Sequence, residues 1–490
     1  MASGDDILNS PEAGARVIRG SLLRVASNVA GILIGIGIAT LLLRHLGVDE
    51  SGRYVTVLSL VAIIGTAADA GLNLTGGRDL ATHEAAQGRV LIANFLGLRL
   101  MIAPVGLALL VGFALIAGYP SRMVVGTAFA GAGFFIGSIA DAALLRLTVE
   151  LRPGGLALVD LLRQAVTLVG VAALVALGAK LTPFFAVQIL AGLCVVAITP
   201  RLVGKGAFPR PRFDRAEQRR LLTKGLPVAV AIVLGQIYFR LVIVLMSLIS
   251  SPKQTGYFGG ALRAMESLVV IPVLVAGVAL PVLATAARDD HNRLRYAIQG
   301  LSEGAVIAGV LVVIVAVRAA EPVMTLIGGP SFRPTGAVLR VEIGSLLFIG
   351  LQAIWSVSLI ALGRERDLIV ANALAVIGLA AAAAVLVPAF GALGAAAATV
   401  GADALLATLI HWRLRRAAGP IVIRPALLVR VLGAAALASL ALIIPGLPDL
   451  AAAALAGAVF VVAGWAIGMV PEEVRAALGP RGLLAHRSAD

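Results

Sequence analysis

The residues of this chain with the clearest chemical potential are polar side chains inside long apolar segments. Arg24 lies one turn into the first segment, and Asn28 follows one turn later on the same helix face. Arg240 lies near the middle of the seventh segment, four residues after Gln236, and Arg263 lies in the eighth. An arginine at the centre of a lipid-facing helix costs about 2.5–3.5 kcal/mol to insert, so we expect these arginines to face water, a counter-ion or an anionic ligand. Because guanidinium groups bind phosphate oxygens in a bidentate manner, the pattern predicts a cationic cavity for a phosphate-bearing substrate, with snorkelling or pairing within one half as the alternative.

Three acids in apolar segments are candidates for coupling transport to an ion. Asp69 lies near the end of the second segment, where it would pair with Arg24, cap the helix or titrate. Glu266 follows Arg263 by three residues and shares its helix face. Asp403 lies deep in the twelfth segment, where it would bind a cation or satisfy a neighbouring polar group. We therefore expect no cofactor beyond a coupling H⁺ or Na⁺.

A second polar group has the character of a scaffold. Its members occupy similar depths in the third, fourth and fifth apolar segments: Arg99, Asp141, Asp160, Arg163 and Gln164. Opposite charges at one depth favour an internal network that joins helices. We predict a structural role for this group rather than contact with a substrate.

The composition is that of a membrane protein. Hydrophobic residues make up 60% of the chain, charged residues only 13%, and the mean hydropathy is +1.00. Such values exclude an ordinary soluble domain. The net charge of +14 arises largely in the connections between apolar segments, so it indicates orientation in the membrane and argues against a nucleic-acid partner.

The apolar segments are long enough to span a bilayer, which takes roughly 17–25 residues each. We predict fourteen spans, at about 22–43, 54–75, 91–118, 122–146, 154–178, 182–203, 226–249, 257–286, 297–317, 338–362, 368–387, 392–412, 426–445 and 449–470. The polar stretch 76–88 is predicted to be a short interfacial helix. A cytoplasmic N-terminus would leave about 26 Lys and Arg residues inside and about seven outside, so we expect both termini in the cytoplasm.

The basic stretch 204–225 divides the predicted spans into six and eight. We therefore predict an N-lobe over 1–203, a basic cytoplasmic linker over 204–225, a C-lobe over 226–416, two additional spans within 417–470 and a cytoplasmic tail over 471–490. Two short sequences repeat between the lobes: Ser51–Tyr54 resembles Thr255–Phe258, and Leu156–Asp160 resembles Leu368–Asn372. The spacing is typical of a duplicated six-helix half, in which an axis along the membrane normal relates the halves.

Motifs of soluble enzymes are absent from the sequence. It contains no phosphate-binding glycine loop ending in GK[ST], no HExxH and no GxSxG with plausible partners. We predict that the protein is not an enzyme. A membrane glycosyltransferase or polymerase stays a minor alternative. Such enzymes usually carry long external loops with catalytic acids, whereas the longest predicted external loop, 318–337, has Glu321 as its only acid.

Three stretches together resemble a known family. They are LLLRHLGVDESGRYVTVLSLVAIIGTAADAGL at 41–72, QTGYFGGALRAMESLVVIPVLVAGVALPVLA at 254–284 and ALGRERDLIVANALAVIGLAAAAAVLVPAFGALGAAAATVGAD at 361–403. They are similar to the polysaccharide transporter, or oligosaccharide flippase (Wzx-type), branch of the multidrug/oligosaccharidyl-lipid/polysaccharide (MOP) flippase superfamily. Phe390 departs from the family pattern, where a tyrosine commonly precedes the glycine.

The resemblance implies an all-α polytopic fold with two six-helix bundles related by pseudo-two-fold symmetry and two C-terminal helices. It implies a flippase in the bacterial cytoplasmic membrane that moves a polyprenyl-diphosphate-linked oligosaccharide to the outer leaflet by alternating access. Membrane lipids and other polysaccharide assembly proteins are further candidate partners. By position, Arg24, Arg240 and Arg263 would hold the diphosphate. The alternative of the same fold is a drug/cation antiporter, in which acids would dominate the cavity.

Overall fold

The structure, a computed structural model, describes residues 11–69, 72–81, 85–150, 153–204 and 206–469. Every regular element in these ranges is helical. The helices are α1 Pro11–Asp69, α2 Leu72–Ala81, α3 Ala85–Ile116, α4 Ser121–Val149, α5 Pro153–Ala176, α6 Leu181–Val203, α7 Arg215–Ile249, α8 Pro252–Asp289, α9 His291–Gly328, α10 Thr335–Glu342, α11 Ser345–Ala361, α12 Glu365–Ala418, α13 Pro425–Ala441 and α14 Asp449–Ala466, with a 3-10 turn at Pro330–Phe332.

Two of these helices each contain two predicted spans. The backbone of α1 breaks at Gly47, where φ is 71°, and that of α12 breaks at Gly391, where φ is 57°. Positive φ is strained for residues with a side chain, so glycine marks both turns. The backbone bends there without a long loop, which is why each pair of predicted spans lies in one helical element.

The predicted membrane fold is confirmed. Within the described ranges, eleven helices are long and apolar enough to cross a bilayer. Two of them, α1 and α12, account for two predicted spans each, and the shorter α13 carries the thirteenth. Together they account for the predicted spans.

Three boundaries differ from the prediction. The second span ends at Asp69, and the short helix after it begins at Leu72 and ends at Ala81 instead of occupying 76–88. The predicted loop 318–337 is mostly helical, because α9 continues to Gly328. Half of the basic linker is also helical, since Asp214 caps α7 by accepting from the backbone N–H of Ala216 at 2.9 Å. Polar residues in these stretches masked a continuing helix.

The helices form two compact units. The first extends to Gly259 and includes Ile327–Gly329, and the second comprises Gly260–Leu326 and the chain from Pro330 onward. Helix α7 thus belongs to the first unit, whereas the seventh span was assigned to the C-lobe; the predicted lobe boundaries stay a prediction. The predicted tail at 471–490 lies outside the described residues.

Small residues allow close helix packing in the first unit. Helices α4 and α6 cross at Gly133 and Gly192: a Cβ on Gly192 would lie 2.6 Å from the carbonyl oxygen of Gly133. Without side chains between them the two backbones come into contact, a common device in membrane helices. The crossing holds α4 in place, and α4 carries part of the polar network described below.

The repeated turn sequences also meet in the first unit. Gly52 of α1 and Gly256 of α8 occupy equivalent positions in the two repeats. A Cβ on Gly52 would lie 2.2 Å from the carbonyl oxygen of Pro252, and a Cβ on Gly256 would lie 2.0 Å from that of Val48. The two turns are therefore packed backbone to backbone.

In the second unit, α13 and α14 are fastened to α9 at two levels. The buried carboxylate of Glu303 accepts from the Nε of Arg424 at 2.9 Å and from its backbone N–H at 3.1 Å. Further along α9, the Nε of Arg318 donates to the Leu442 carbonyl at 2.9 Å, and its Nη1 donates to Asp449 at 2.8 Å. Between these contacts an apolar core joins the three helices. We call this arrangement the two-ended clamp.

Candidate functional site

Arg99 is the centre of a buried polar network in the first unit. Its side chain, which α3 presents to α4, is only 5% exposed. One Nη donates to Asp69 of α1 at 2.6 Å and to Asn73 of α2 at 2.8 Å, and the other donates to the carbonyl of Ser138 on α4 at 2.7 Å. A guanidinium placed among four helices is tolerated at this depth because acceptors meet both of its terminal nitrogens.

Asp141 extends this network to α5. Its carboxylate oxygens lie 3.9 Å from an Nη of Arg99 and 3.7 Å from an Nη of Arg163. Charges therefore alternate from Asp69 through Arg99 and Asp141 to Arg163, and each contact crosses between helices. We call these four residues and their neighbours the Arg99 network. Its contacts link α1 through α5, and its role as a scaffold stays a prediction.

Two residues predicted for the network lie at its margin. The side chain of Asp160 is exposed, although its charge acts electrostatically on Asp141. Gln164 packs instead on α1, where a Cβ on Gly31 would lie 2.8 Å from its Nε2. Asp69 shows the reverse: the sequence marked it as a coupling candidate or a partner of Arg24, and the structure pairs it with Arg99. The predicted roles of Asp160 and Gln164 stay predictions.

The predicted cavity arginines are divided between the two units. Arg240 and Gln236 are half-buried on α7 in the first unit, and the Arg240 guanidinium lies 5.3 Å from the ring centroid of Phe239. Arg263 belongs to the second unit and donates to Glu266, one turn later, at 2.9 Å. The side chains of Arg24 and Asn28 lie outside the described residues. A shared cationic cavity stays a prediction.

Asp403 is buried on α12 in the second unit. Its carboxylate Oδ1 lies 3.3 Å from the Nε2 of Gln352, and its backbone carbonyl accepts from the same amide at 2.9 Å. The amide of α11 therefore holds Asp403 by both side chain and backbone. Sequence reasoning did not select Gln352, although a glutamine in an apolar span was a usable signal.

Glu342 is a functional candidate that the sequence reasoning missed. It lies at the end of α10, is 1% exposed, and its Oε2 has no hydrogen-bond partner among the described residues. Asp403 and Glu266 are the charged groups whose electrostatic fields act on it. It is the only acid in the predicted tenth span, which was a readable signal. An ionised carboxylate is costly in such surroundings, so Glu342 is suited to hold a proton.

The one acid of the predicted external loop is held in ion pairs. Glu321 accepts from the Nε of Arg333 at 2.5 Å and lies 3.3 Å from an Nη of Arg340. The hydrogen bond to the carboxylate raises the pKa of the exposed Arg333 guanidinium, which lies outside the spans. Both oxygens of Glu321 are thus engaged by cations, an arrangement that gives no support to a role as a general acid. Within the described ranges, acids, histidines and cysteine form no group of three arranged for a metal ion.

The family follows from comparison of the whole sequence. A family model described as "Polysaccharide biosynthesis protein" matches residues 41–336, more than half of the chain. The chain belongs to this family. The resemblance to the polysaccharide transporter branch of the MOP flippase superfamily is thereby confirmed. None of the curated proteins matches the sequence.

Solved structures share the fold of this polysaccharide biosynthesis family member. The lipid II flippase MurJ in an inward closed conformation has a TM-score of 0.71 at 13% identity and covers 91% of this chain and 98% of its own. An inward-facing multidrug resistance MATE family transporter of the MOP superfamily has a TM-score of 0.65 at 16% identity, covering 81% and 98%. The MATE multidrug transporter DinF-BH reaches 0.60 at 16% identity, covering 81% and 96%. These likenesses show that the chain has the same fold as these membrane flippases and transporters.

Proposed function

We propose that the protein is a flippase that moves a polyprenyl-diphosphate-linked oligosaccharide from the cytoplasmic to the outer leaflet of the bacterial cytoplasmic membrane. The observation that carries the proposal is membership of a polysaccharide biosynthesis family on a fold shared with a lipid flippase. Alternating access between two bundles is the proposed mechanism, and both termini would lie in the cytoplasm. The product would serve the assembly of cell-surface polysaccharide, and the protein would itself catalyse no covalent step.

Two observations favour a lipid-linked glycan over the cation that a drug antiporter would carry. The lipid II flippase can be superposed on 91% of the chain, whereas each of the two MATE transporters can be superposed on 81%. The charged residues of the proposed cavity are also arginines. A guanidinium binds diphosphate oxygens and repels a cation. The tail of the lipid would stay in the bilayer while the headgroup crosses.

In this proposal, Arg24, Arg240 and Arg263 hold the diphosphate, with Asn28 and Gln236 as hydrogen-bonding neighbours. Arg240 is half-buried beside an aromatic ring, which leaves its guanidinium in a partly apolar setting where attraction to a phosphate is stronger than in water. Arg263 is paired with Glu266, so its release to a substrate would require that pair to open. That exchange would connect cargo binding to the acids of the second unit.

Loss of the Arg240 charge is expected to impair transport without unfolding the protein. The purified full chain is reconstituted with a fluorescent polyprenyl-diphosphate oligosaccharide, and leaflet transfer is followed by quenching of the outer leaflet. We expect R240Q to slow transfer about tenfold, the equivalent of 1.4 kcal/mol, and R240K to retain part of it because the charge remains. The exposed Arg366 serves as the matched control, as R366Q. No transfer by the wild type, or export of a cationic dye instead, would refute the substrate assignment.

We further propose that coupling uses a proton held by Glu342, with Glu266 and Asp403 as its charged neighbours. The support is the burial of Glu342 and its unpartnered oxygen. An ionised Glu342 would be a buried charge with one oxygen unpartnered among the described residues, whereas protonation removes the charge. Coupling through one buried acid would let the pH difference across the membrane bias the conformational equilibrium.

Replacing Glu342 with glutamine, which mimics the protonated acid, tests this coupling. We expect E342Q to bind substrate normally but to show no stimulation of transfer by an imposed pH gradient, while the wild type is stimulated. The exposed Glu365 of α12 provides the matched control, as E365Q. If E342Q responds to the gradient as strongly as E365Q does, Glu342 is not the coupling residue.

A further inference from the structure

The linker before α7 lies against the apolar part of α3. The backbone N–H of Arg212 donates to the carbonyl of Ala93 at 2.9 Å, and the N–H of Asp214 donates to the side chain of Asn94 at 3.3 Å. A Cβ on Gly97 would lie 2.0 Å from the carbonyl oxygen of Arg212. These α3 residues belong to the apolar helix Gln87–Ile116. The linker is therefore fixed at the edge of the membrane-spanning region instead of extending away from it.

The first turns of α7 have two distinct faces. Leu221 and Gln218 are buried, and Leu221 joins a core with residues of α2, α3 and α4. The opposite face, at intervals of four, three and four residues, is exposed and consists of Arg215, Arg219, Leu222 and Leu226. Charge thus gives way to apolar surface along one stripe that leads toward the spanning part, Ala229–Ile249.

Most of the acids near this segment are already engaged. Arg220 pairs with Glu217 and with Asp79 of α2, and Lys224 also lies near Asp79. Four other basic side chains are exposed and form no ion pair within the part of the chain that the structure describes: Arg210, Arg212, Arg215 and Arg219. The acids therefore tie the helix to α2 and leave a separate positive surface.

We infer that this surface binds anionic phospholipid of the surrounding bilayer. It consists of Arg210, Arg212, Arg215 and Arg219 with the apolar Phe213 and Leu222, and we call it the linker face. Clusters of four or more basic residues beside a membrane helix attract acidic headgroups, at about fivefold in affinity per charge. The headgroup phosphates would contact the arginines, while the apolar side chains enter the boundary of the acyl region.

The exposed apolar side chains distinguish a lipid from a soluble polyanion. Phe213 is 57% exposed and Leu222 is 38% exposed, and both belong to the linker face. A nucleic acid or an acidic protein segment would be attracted to the charge alone, whereas a bilayer interface matches charge at one end of the stripe and apolar surface at the other. The fixed backbone of the linker means that little ordering is needed when the lipid binds.

The test is a lipid titration of the purified full-length protein in neutral detergent. Phosphatidylglycerol or phosphatidylcholine is added, and bound lipid is counted by mass spectrometry of the intact protein. We expect R215Q/R219Q to weaken binding of the tightest phosphatidylglycerol roughly 25-fold, and R215K/R219K to stay near the wild type. Raising the salt concentration should weaken binding to the wild type much more than to R215Q/R219Q.

The matched control is R288Q/R293Q, which removes two exposed arginines around the α8–α9 turn. The inference fails if this control weakens binding as much as R215Q/R219Q, or if R215Q/R219Q binds as the wild type does. Equal affinity for phosphatidylcholine would also overturn it. Tighter binding of a polyprenyl diphosphate than of phosphatidylglycerol would assign the linker face to the substrate instead of to bulk lipid.

Discussion

Valine in place of Gly256 is expected to destabilise the protein more than valine at any other glycine of α8. Its Cβ would lie 2.0 Å from a backbone carbonyl of α1, and a backbone atom cannot rotate away as a side chain can. Overpacking of this kind typically costs about 1–3 kcal/mol and occasionally more, and a contact with fixed backbone belongs at the upper end. Thermal unfolding of the detergent-solubilised protein measures the loss.

The chain offers a matched control within the same helix. Gly277 of α8 has no atom within 4 Å of the position that its Cβ would occupy, so G277V should cost only helix propensity. On α1, the Cβ position of Gly35 also has no atom within 4 Å, so G35V is the matched control for G52V. Similar unfolding temperatures for G256V and G277V would show that the two turns do not depend on this close approach.

Replacing Arg99 with leucine is the second change with a large expected effect. Asp69 would lose its guanidinium partner, and Asp141 would keep only its contact to Arg163, at 3.7 Å. Removing one partner of a buried pair typically costs about 3–5 kcal/mol, because the remaining charge stays desolvated. We expect R99L to yield little folded protein, as judged by thermal unfolding and by the monodisperse fraction in size-exclusion chromatography.

Two further variants separate the charge effect from the loss of an arginine. Arg89 is an exposed arginine on the same helix, so R89L should be nearly neutral. The double variant R99L/D69N should be less harmful than the sum of its single changes, since it removes both charges of the pair. Additive effects of R99L and D69N would contradict a direct interaction between these two residues.

Much of the fold could be predicted from periodicity and composition alone, because a membrane helix must satisfy its backbone internally and must be about as long as the bilayer is thick. The pairing of Arg263 with Glu266 was also readable, since residues three apart share a helix face. The partners of Arg99 were not: Asn73 and Ser138 come from other helices, and only the packing of α2 and α4 brings them within reach.

Other differences arise where polar residues do not end a helix. Glu321 and Arg318 indicated an external loop, yet α9 continues past both because each side chain finds a partner within the second unit. Glu342 was overlooked for a related reason. It lies inside the predicted tenth span, but only the fold shows that it is buried. Whether such a polar residue is solvated or buried depends on its depth in the membrane, which the sequence indicates only approximately.

The two-ended clamp has a consequence for how this architecture tolerates truncation. Arg424, directly before α13, supplies the guanidinium that neutralises Glu303. Asp449, the first residue of α14, pairs with Arg318 of α9. A shortened protein ending after α12 would leave Glu303 and Arg318 of α9 without these oppositely charged partners. The two unpaired charges would then lie in an apolar helix of the membrane. Deleting α13 and α14 should therefore destabilise α9, because these two helices compensate its charges.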